Sequence, residues 1–174
     1  KKEFGPKARI KSHPYIRNGD LSSVASSFWI EDFSKKTSAD LWRGLRKTMR
    51  QEIKKAAAAG ITVSEWVNRN ELNRFYDLYV ETVKRHKNIP LTFSAIEFLA
   101  DFSRLRQGRS GSLLILAKKQ GQIIGGSIFL FYKPFIHYFI NASSYRLRNY
   151  NIGHAILWHV MHTYAGQEYN YLDL

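Results

Sequence analysis

The chain has 174 residues, 44% of them hydrophobic and 14% aromatic, which suits a packed core and excludes a disordered segment. It has no cysteine, so disulfides and thiolate metal sites are excluded. With no run near the roughly 18 apolar residues of a membrane span and no signal-peptide core, a soluble, cytoplasmic protein is expected. The net charge is +13, divided as +8 over residues 1–60, +2 over 61–110 and +3 over 111–174; such an excess calls for an anionic partner, whether nucleic acid, phosphorylated substrate or membrane surface.

Residues 1–27 are polar and turn-rich (Gly5-Pro6, His13-Pro14, Asn18-Gly19-Asp20), and Phe28-Trp29-Ile30 reads as a short strand. After the linker Lys35 to Ser38, one long helix capped by Ser38 or Asp40 is expected to run to Gly60, with Leu41, Leu45, Met49 and Ile53 on its buried face. Arg43, Lys47, Arg50 and Lys54 then share another face, which is solvated or grips phosphates. Ile61 to Trp66 suits a strand. Glu71 to Arg85 is an amphipathic helix ending in Lys84-Arg85-His86-Lys87, and the loop Asn88 to Thr92 breaks it. Ser94 and Glu97 form a capping box for a third helix reaching about Gln107, and Gly108 to Gly111 turn the chain.

The pattern then changes. Leu113 to Ala117, Ile123 to Tyr132 and Ile136 to Ile140 are apolar, β-branched and aromatic runs separated by Gln120-Gly121 and Lys133-Pro134, hence buried strands. Gly125-Gly126 predicts a bulge or a close backbone approach. Ile152 to about Gly166 is a helix apolar on most sides, to be packed on a sheet, and Tyr171 to Leu174 is a further strand.

Chemistry is expected at the junction between the strand ending at Asn141 and the helix opening at Gly153. The first turn of a helix offers free N–H groups and a positive dipole end to a phosphate. Gly153 lets an anion approach closely, and Arg146 and Arg148 add charge. His159 and His162 stand one turn apart, but no carboxylate sits at a compatible spacing, so no metal site is expected. Ser143 and Ser144 lack a hydrolase elbow.

The string Tyr150-Asn151-Ile152-Gly153-His154-Ala155 resembles the later part of the R/Q-x-x-G-x-G/A motif of GNAT acyltransferases, with Tyr150 in place of Arg or Gln. The order of elements is also similar to the GNAT fold. Within that superfamily the chain resembles the Fem-like peptidyltransferases and their single-copy relatives, over residues 28–174. The matching words, in order, are Leu45-Arg46-Lys47 to Ile53-Lys54-Lys55-Ala56 with Gly60, and Phe75-Tyr76-Asp77-Leu78-Tyr79 with Thr82 and Arg85. Ala142-Ser143-Ser144, Leu157-Trp158 and Tyr171-Leu172-Asp173 follow.

The resemblance implies an α/β GNAT-like fold with a mixed central sheet, its C-terminal part absent from this sequence. It implies residues 1–37 as the tail of a preceding domain or an extension, 38–60 as a basic connecting helix, and 61–174 as the acyltransferase domain. It implies transfer of an acyl or aminoacyl group to an amine of a cell-envelope precursor or peptide, without a covalent enzyme intermediate. The donor would be a coenzyme A thioester or an aminoacyl-tRNA, with no tightly bound cofactor. Donor contacts fall on Ser143, Ser144, Arg146, Arg148, Asn151, Gly153 and His154, and acceptor contacts on Arg85, His86 and Thr92. Backbone N–H groups near the end of Ile136–Asn141 would hold the oxyanion, and His137, Tyr138, His154 and Asp173 are the candidates for a general base. An acyl-CoA-dependent N-acetyltransferase and a non-catalytic basic nucleic-acid-binding module are the alternatives. Residues 43–55 are the expected tRNA or peripheral-membrane contact.

Overall fold

A computed structural model of the chain describes residues 30–101, 110–164, 167 and 169–174, with the backbone alone at Ile30, Glu31, Asp101 and Ser110. In chain order its elements are β1 (Ile30–Asp32), α1 (Ser38–Gly44), α2 (Lys47–Ala58), β2 (Ile61–Glu65), α3 (Arg69–Arg85), α4 (Phe93–Asp101), β3 (Ser110–Lys119), β4 (Gln122–Tyr132), β5 (Phe135–Ser143), a 3-10 segment Tyr145–Tyr150, α5 (Ile152–Tyr164) and β6 (Tyr171–Asp173). The expected strand at Phe28-Trp29, the helix beyond Asp101 and the turn from Gly108 lie outside the described residues.

Apolar runs separated by two-residue turns make β3, β4 and β5 an antiparallel meander. Gln120 and Gly121 both have positive φ (50° and 75°), the twist-matched hairpin turn that glycine favours. From β5 the chain crosses through α5 to β6, which pairs parallel to β5 from Phe135↔Tyr171 to His137↔Asp173. With β1 on the outer edge of β6 and β2 on that of β3, the mixed sheet has the order β1-β6-β5-β4-β3-β2. No helix among the described residues is long and apolar enough to cross a membrane.

Two cores form, one on each face. Helix α5 lies on one face over Ile115, Phe129, Phe131 and Ile136. On the other, Leu72, Phe75 and Tyr79 of α3 and Ile96 of α4 bury Leu114, Leu116, Ile128 and Ile140. A bulge reconciles β5 with both: Ile128 faces Ile140 and Phe129 faces Tyr138, so Phe139 has no partner on β4. The extra residue reverses the alternation, so Ile136 and Tyr138 serve the α5 face while Ile140 and Ala142 serve the α3 face.

Both expectations for Gly125-Gly126 are met. A second bulge leaves Ile124 unpaired, since Ala117 faces Gly125 and Lys118 faces Ile123. A Cβ on Gly126 would lie 2.7 Å from Phe75 Cδ2, and one on Gly125 would lie 2.9 Å from Ile152 Cγ2. The glycine pair therefore lets α3 and the start of α5 close on the same strand from opposite sides.

The expected single helix from 38 to 60 is instead two. Leu45 and Arg46 are extended (ψ 142° and 144°), so the chain breaks between α1 and α2. The cap is Thr37, whose hydroxyl accepts from Asp40 N while the Asp40 carboxylate accepts from Thr37 N, a full capping box. Arg50 folds back to donate to the carbonyls of Arg43 (2.9 Å) and Trp42 (3.4 Å), closing the C-terminus of α1. The common basic face of Arg43, Lys47, Arg50 and Lys54 is thus interrupted. At α4 the capping hydroxyl is Thr92, not Ser94, accepting from Ala95 N at 3.3 Å.

Candidate functional site

The site is built from the second half of β5 onward. Successive residues of a strand point to opposite faces, and His137 and Tyr138 divide in this way. His137 shares a row with Leu130 on β4 and Asp173 on β6, and its Nδ1 lies 2.8 Å from Asp173 Oδ2. The pair is partly sheltered, at 38% and 20% side-chain exposure. Asp173 Oδ1 is buried and has no hydrogen-bond partner among the described residues. Three general-base candidates thus separate: His137 and Asp173 form one unit, and Tyr138 stands on the other face.

Tyr138 points under the start of α5. Its hydroxyl is the nearest atom, at 3.9 Å, to the position a Gly153 Cβ would occupy. Burial raises its pKa above the ordinary phenol value of 10.0, partly opposed by a hydrogen bond with Ser127. Ser127, fully buried in β4, donates to Asn141 Oδ1 at 3.2 Å. Neither Ser127 nor Asn141 stood among the expected site residues. A serine in the middle of the apolar run 123–132 was the available signal, because a buried hydroxyl needs a partner.

The loop expected to meet the donor leaves β5 at Ser143, whose carbonyl accepts from Thr82 Oγ1 (3.5 Å), and Ser144 N donates to Ile124 O (2.8 Å). Asn151 takes the left-handed conformation (φ 47°) that turns the chain into α5, and its carbonyl accepts from His154 N at 2.8 Å. Among the described residues nothing accepts from the N–H of Ile152 or Gly153, so both remain available to an anion. His154 follows within the same turn, half-buried, its Nδ1 without a partner among the described residues.

Charge surrounds this loop. Arg85, at the end of α3, and Arg148 both stand over the exposed Tyr145 ring, 5.0 and 4.2 Å from its centroid. Arg85, expected at the acceptor, therefore borders the loop from Ser143 to Asn151. Arg146 is exposed. Lys55 of α2 donates to Asn149 O (2.9 Å), and Lys119 at the end of β3 reaches Tyr150 Oη (3.2 Å) and its ring (4.6 Å). These lysines were not expected here, since spacing alone cannot bring residues 55 and 119 to one loop. His86 caps α3 and is exposed, and Thr92 caps α4. The connection between them is held by Tyr76, which donates to Leu91 O, and Tyr79, which accepts from Leu91 N.

The remaining histidines of the described residues, His159 and His162, pack. His162 Nδ1 is 2.8 Å from Ser38 Oγ, its ring stacks on Trp158, and Trp158 meets Trp42, docking α1 on α5. Burial lowers the His159 pKa, opposed by the Glu65 carboxylate.

An antiparallel meander that hands over to one parallel pair through a buried helix, with an anion-ready loop at the hand-over, is the architecture of an N-acyltransferase domain. The chain belongs to the GNAT acetyltransferase-domain family, whose family model, Acetyltransferase (GNAT) domain, matches residues 43–174. No curated protein sequence matches it. Among solved structures it is similar to FemX (TM-score 0.70, 15% identity, covering 83% of this chain and 51% of that one). It is also similar to the C-terminal domain of a putative lysylphosphatidylglycerol synthetase from Agrobacterium fabrum (TM-score 0.60, 13% identity, 84% and 45% coverage). An acetyltransferase from Streptococcus agalactiae 2603 gives a TM-score of 0.53 at 12% identity, with 63% and 69% coverage. The chain spans about half the length of the first two. At these identities the likeness is one of fold.

Proposed function

We propose that the chain transfers an activated acyl or aminoacyl group to an amine of a cell-envelope precursor or peptide, in the manner of the Fem-like enzymes. One observation carries the reading: β5 brings a His137–Asp173 pair and the free N–H groups of Ile152 and Gly153 to the two sides of a single strand. A donor anion held at Ile152 and Gly153, with Arg148 and Arg85 alongside, would extend its reactive carbonyl toward the bulge at Phe139. With Nδ1–H donating to Asp173, the imidazole keeps Nε2 as the acceptor for a proton of the attacking amine. Positioning and electrostatic stabilisation of the oxyanion supply the rest. The Fem-like part of the reading is supported by the ordered sequence words and by the fold likeness to FemX.

A second reading, an acyl-CoA-dependent N-acetyltransferase, is favoured by the family model itself, which is that of an acetyltransferase domain. A purely nucleic-acid-binding module is disfavoured, because Arg50 and Lys55 are engaged by the carbonyls of Arg43 and Asn149.

The test is acyl transfer to primary amines from acetyl-CoA and from aminoacyl-tRNA in parallel. Transfer from one donor, with His137→Gln about 10²–10⁴-fold slower at unchanged donor affinity, is the expected result. Absence of product from both donors would refute acyl transfer.

A further inference from the structure

The connection between α3 and α4 carries an apolar tip. Ile89 is 94% exposed, more than any other large apolar side chain of the described residues, and Leu91 beside it is 42% exposed. This connection is fixed on both sides. Tyr76 Oη donates to Leu91 O (3.2 Å), Tyr79 Oη accepts from Leu91 N (3.0 Å), and Pro90 restricts the backbone between the two apolar residues. At the other end Asn88 N donates to Val83 O (3.1 Å) and Lys87 N to Lys84 O (2.9 Å), which closes the C-terminus of α3. Ile89 is thus held out into solvent on a rigid support.

Cations precede the tip. Lys84, Arg85, His86 and Lys87 are all exposed, and no acidic residue occurs from 84 to 96. Arg85 stands over the Tyr145 ring, but the Lys84 and Lys87 ammonium groups have no partner among the described residues. Lys87 also takes the left-handed conformation (φ 58°) at the helix end, where glycine would fit without strain. The fold accepts that strain and keeps a charge beside the tip.

An exposed aliphatic side chain on a rigid support, next to unpaired cations, fits one kind of partner. Nucleic acid would engage the lysines but offers little to Ile89, because its stacking surfaces suit aromatic rings. A bilayer with anionic headgroups rewards both features: the apolar tip enters the acyl boundary and the cations meet phosphates. The basic stretch 43–55, by contrast, exposes lysines and arginines but no large apolar side chain.

We infer that the segment from Lys84 to Leu91 docks the protein on an anionic lipid surface, with Ile89 inserted among the headgroups and Lys84 and Lys87 on lipid phosphates. Because the backbone is already fixed, insertion orders little further chain. The contact of Arg85 with Tyr145 sets the docked segment against the loop from Ser143 to Asn151, so the bilayer lies beside the proposed site. The inference does not need acyl transfer, and its test is read without a donor.

The chain has no cysteine, so Ile89→Cys accepts a single environment-sensitive fluorophore. With vesicles of equal parts phosphatidylglycerol and phosphatidylcholine at physiological salt, the emission should shift to the blue and be quenched by nitroxide lipids. A label on Val67→Cys, at a 70% exposed position just before α3, should show neither effect. Vesicle sedimentation of unlabelled protein then measures affinity. Pure phosphatidylcholine should bind at least about tenfold more weakly. Ile89→Ser should weaken binding about fivefold or more, and Lys84→Gln and Lys87→Gln about fivefold each, all with parental Tm. Absence of vesicle binding, or binding that these three variants leave unchanged, would overturn the inference. So would lysine-dependent binding to RNA by a chain that ignores vesicles, which assigns the segment to nucleic acid.

Discussion

Gly153→Ala separates stability from donor binding. In the fold, a methyl at this position meets only Tyr138 Oη at 3.9 Å, an ordinary contact, and Gly153 lies inside α5 without a positive φ. Alanine therefore fits, and it narrows the unfolded ensemble, so the folded state should gain about 0.4–1 kcal/mol. For a domain of this size that raises Tm by about 1–4 °C. The donor experiences the reverse. The methyl stands beside the N–H groups of Ile152 and Gly153, and displacing an anion from one charge-assisted hydrogen bond costs about 1.5–3 kcal/mol. Donor Kd should therefore rise roughly tenfold to a hundredfold. Gly125→Ala is the control, since its methyl would sit 2.9 Å from Ile152 Cγ2 and 3.1 Å from Ala142 O. Overpacking there should destabilise by about 1–3 kcal/mol. Thermal melts without donor, followed by calorimetric titration of the donor that proves active, read both effects. A Gly153→Ala protein with higher Tm and unchanged donor Kd would refute the placement of the anion.

Three further outcomes are expected. Lys55→Met and Lys119→Met remove the two lysines that hold Asn149 and Tyr150, so each should raise donor KM about two- to tenfold while kcat and acceptor KM stay put in steady-state kinetics. Thr37→Ala removes the hydroxyl cap of α1 and should cost about 1 kcal/mol, read as faster amide exchange in α1 before the sheet responds. His159 titrates below the usual 6.5 because it is buried; the unfolded chain then binds its proton more tightly than the folded one. Stability should fall as pH drops below about 6.5 toward the lower folded value, and His159→Leu should flatten that part of a Tm-against-pH curve relative to the parent.

Much of the local structure was legible in the residues. The apolar runs around Gln120-Gly121 and Lys133-Pro134 gave the meander, the all-round apolar stretch from Ile152 gave α5, and the amphipathic stripe from Leu72 to Val83 gave α3. In each, a residue's role follows from neighbours within one or two turns, which periodicity reports. The loop from Ser143 to Gly153 was legible for the same reason: a strand end, a glycine and a helix start lie within a dozen residues. The break at Leu45-Arg46 was not legible, because four-residue spacing continues across it. What interrupts it is the docking of Trp42 on Trp158 and the return of Arg50 to the carbonyls of Arg43 and Trp42.

The sequence by itself determined most of the elements, their order and the residue types available for chemistry, since local spacing and side-chain polarity set these before any distant contact forms. Only the tertiary structure decided which of those residues meet. The parallel pairing of β5 with β6 placed Asp173 on His137 across 36 positions of chain. The bulge at Phe139 fixed which face each half of β5 serves, and packing brought Lys55 to a loop 94 residues away. Such pairings depend on register and on the choice of sheet neighbour, properties of the assembled sheet that no local pattern encodes.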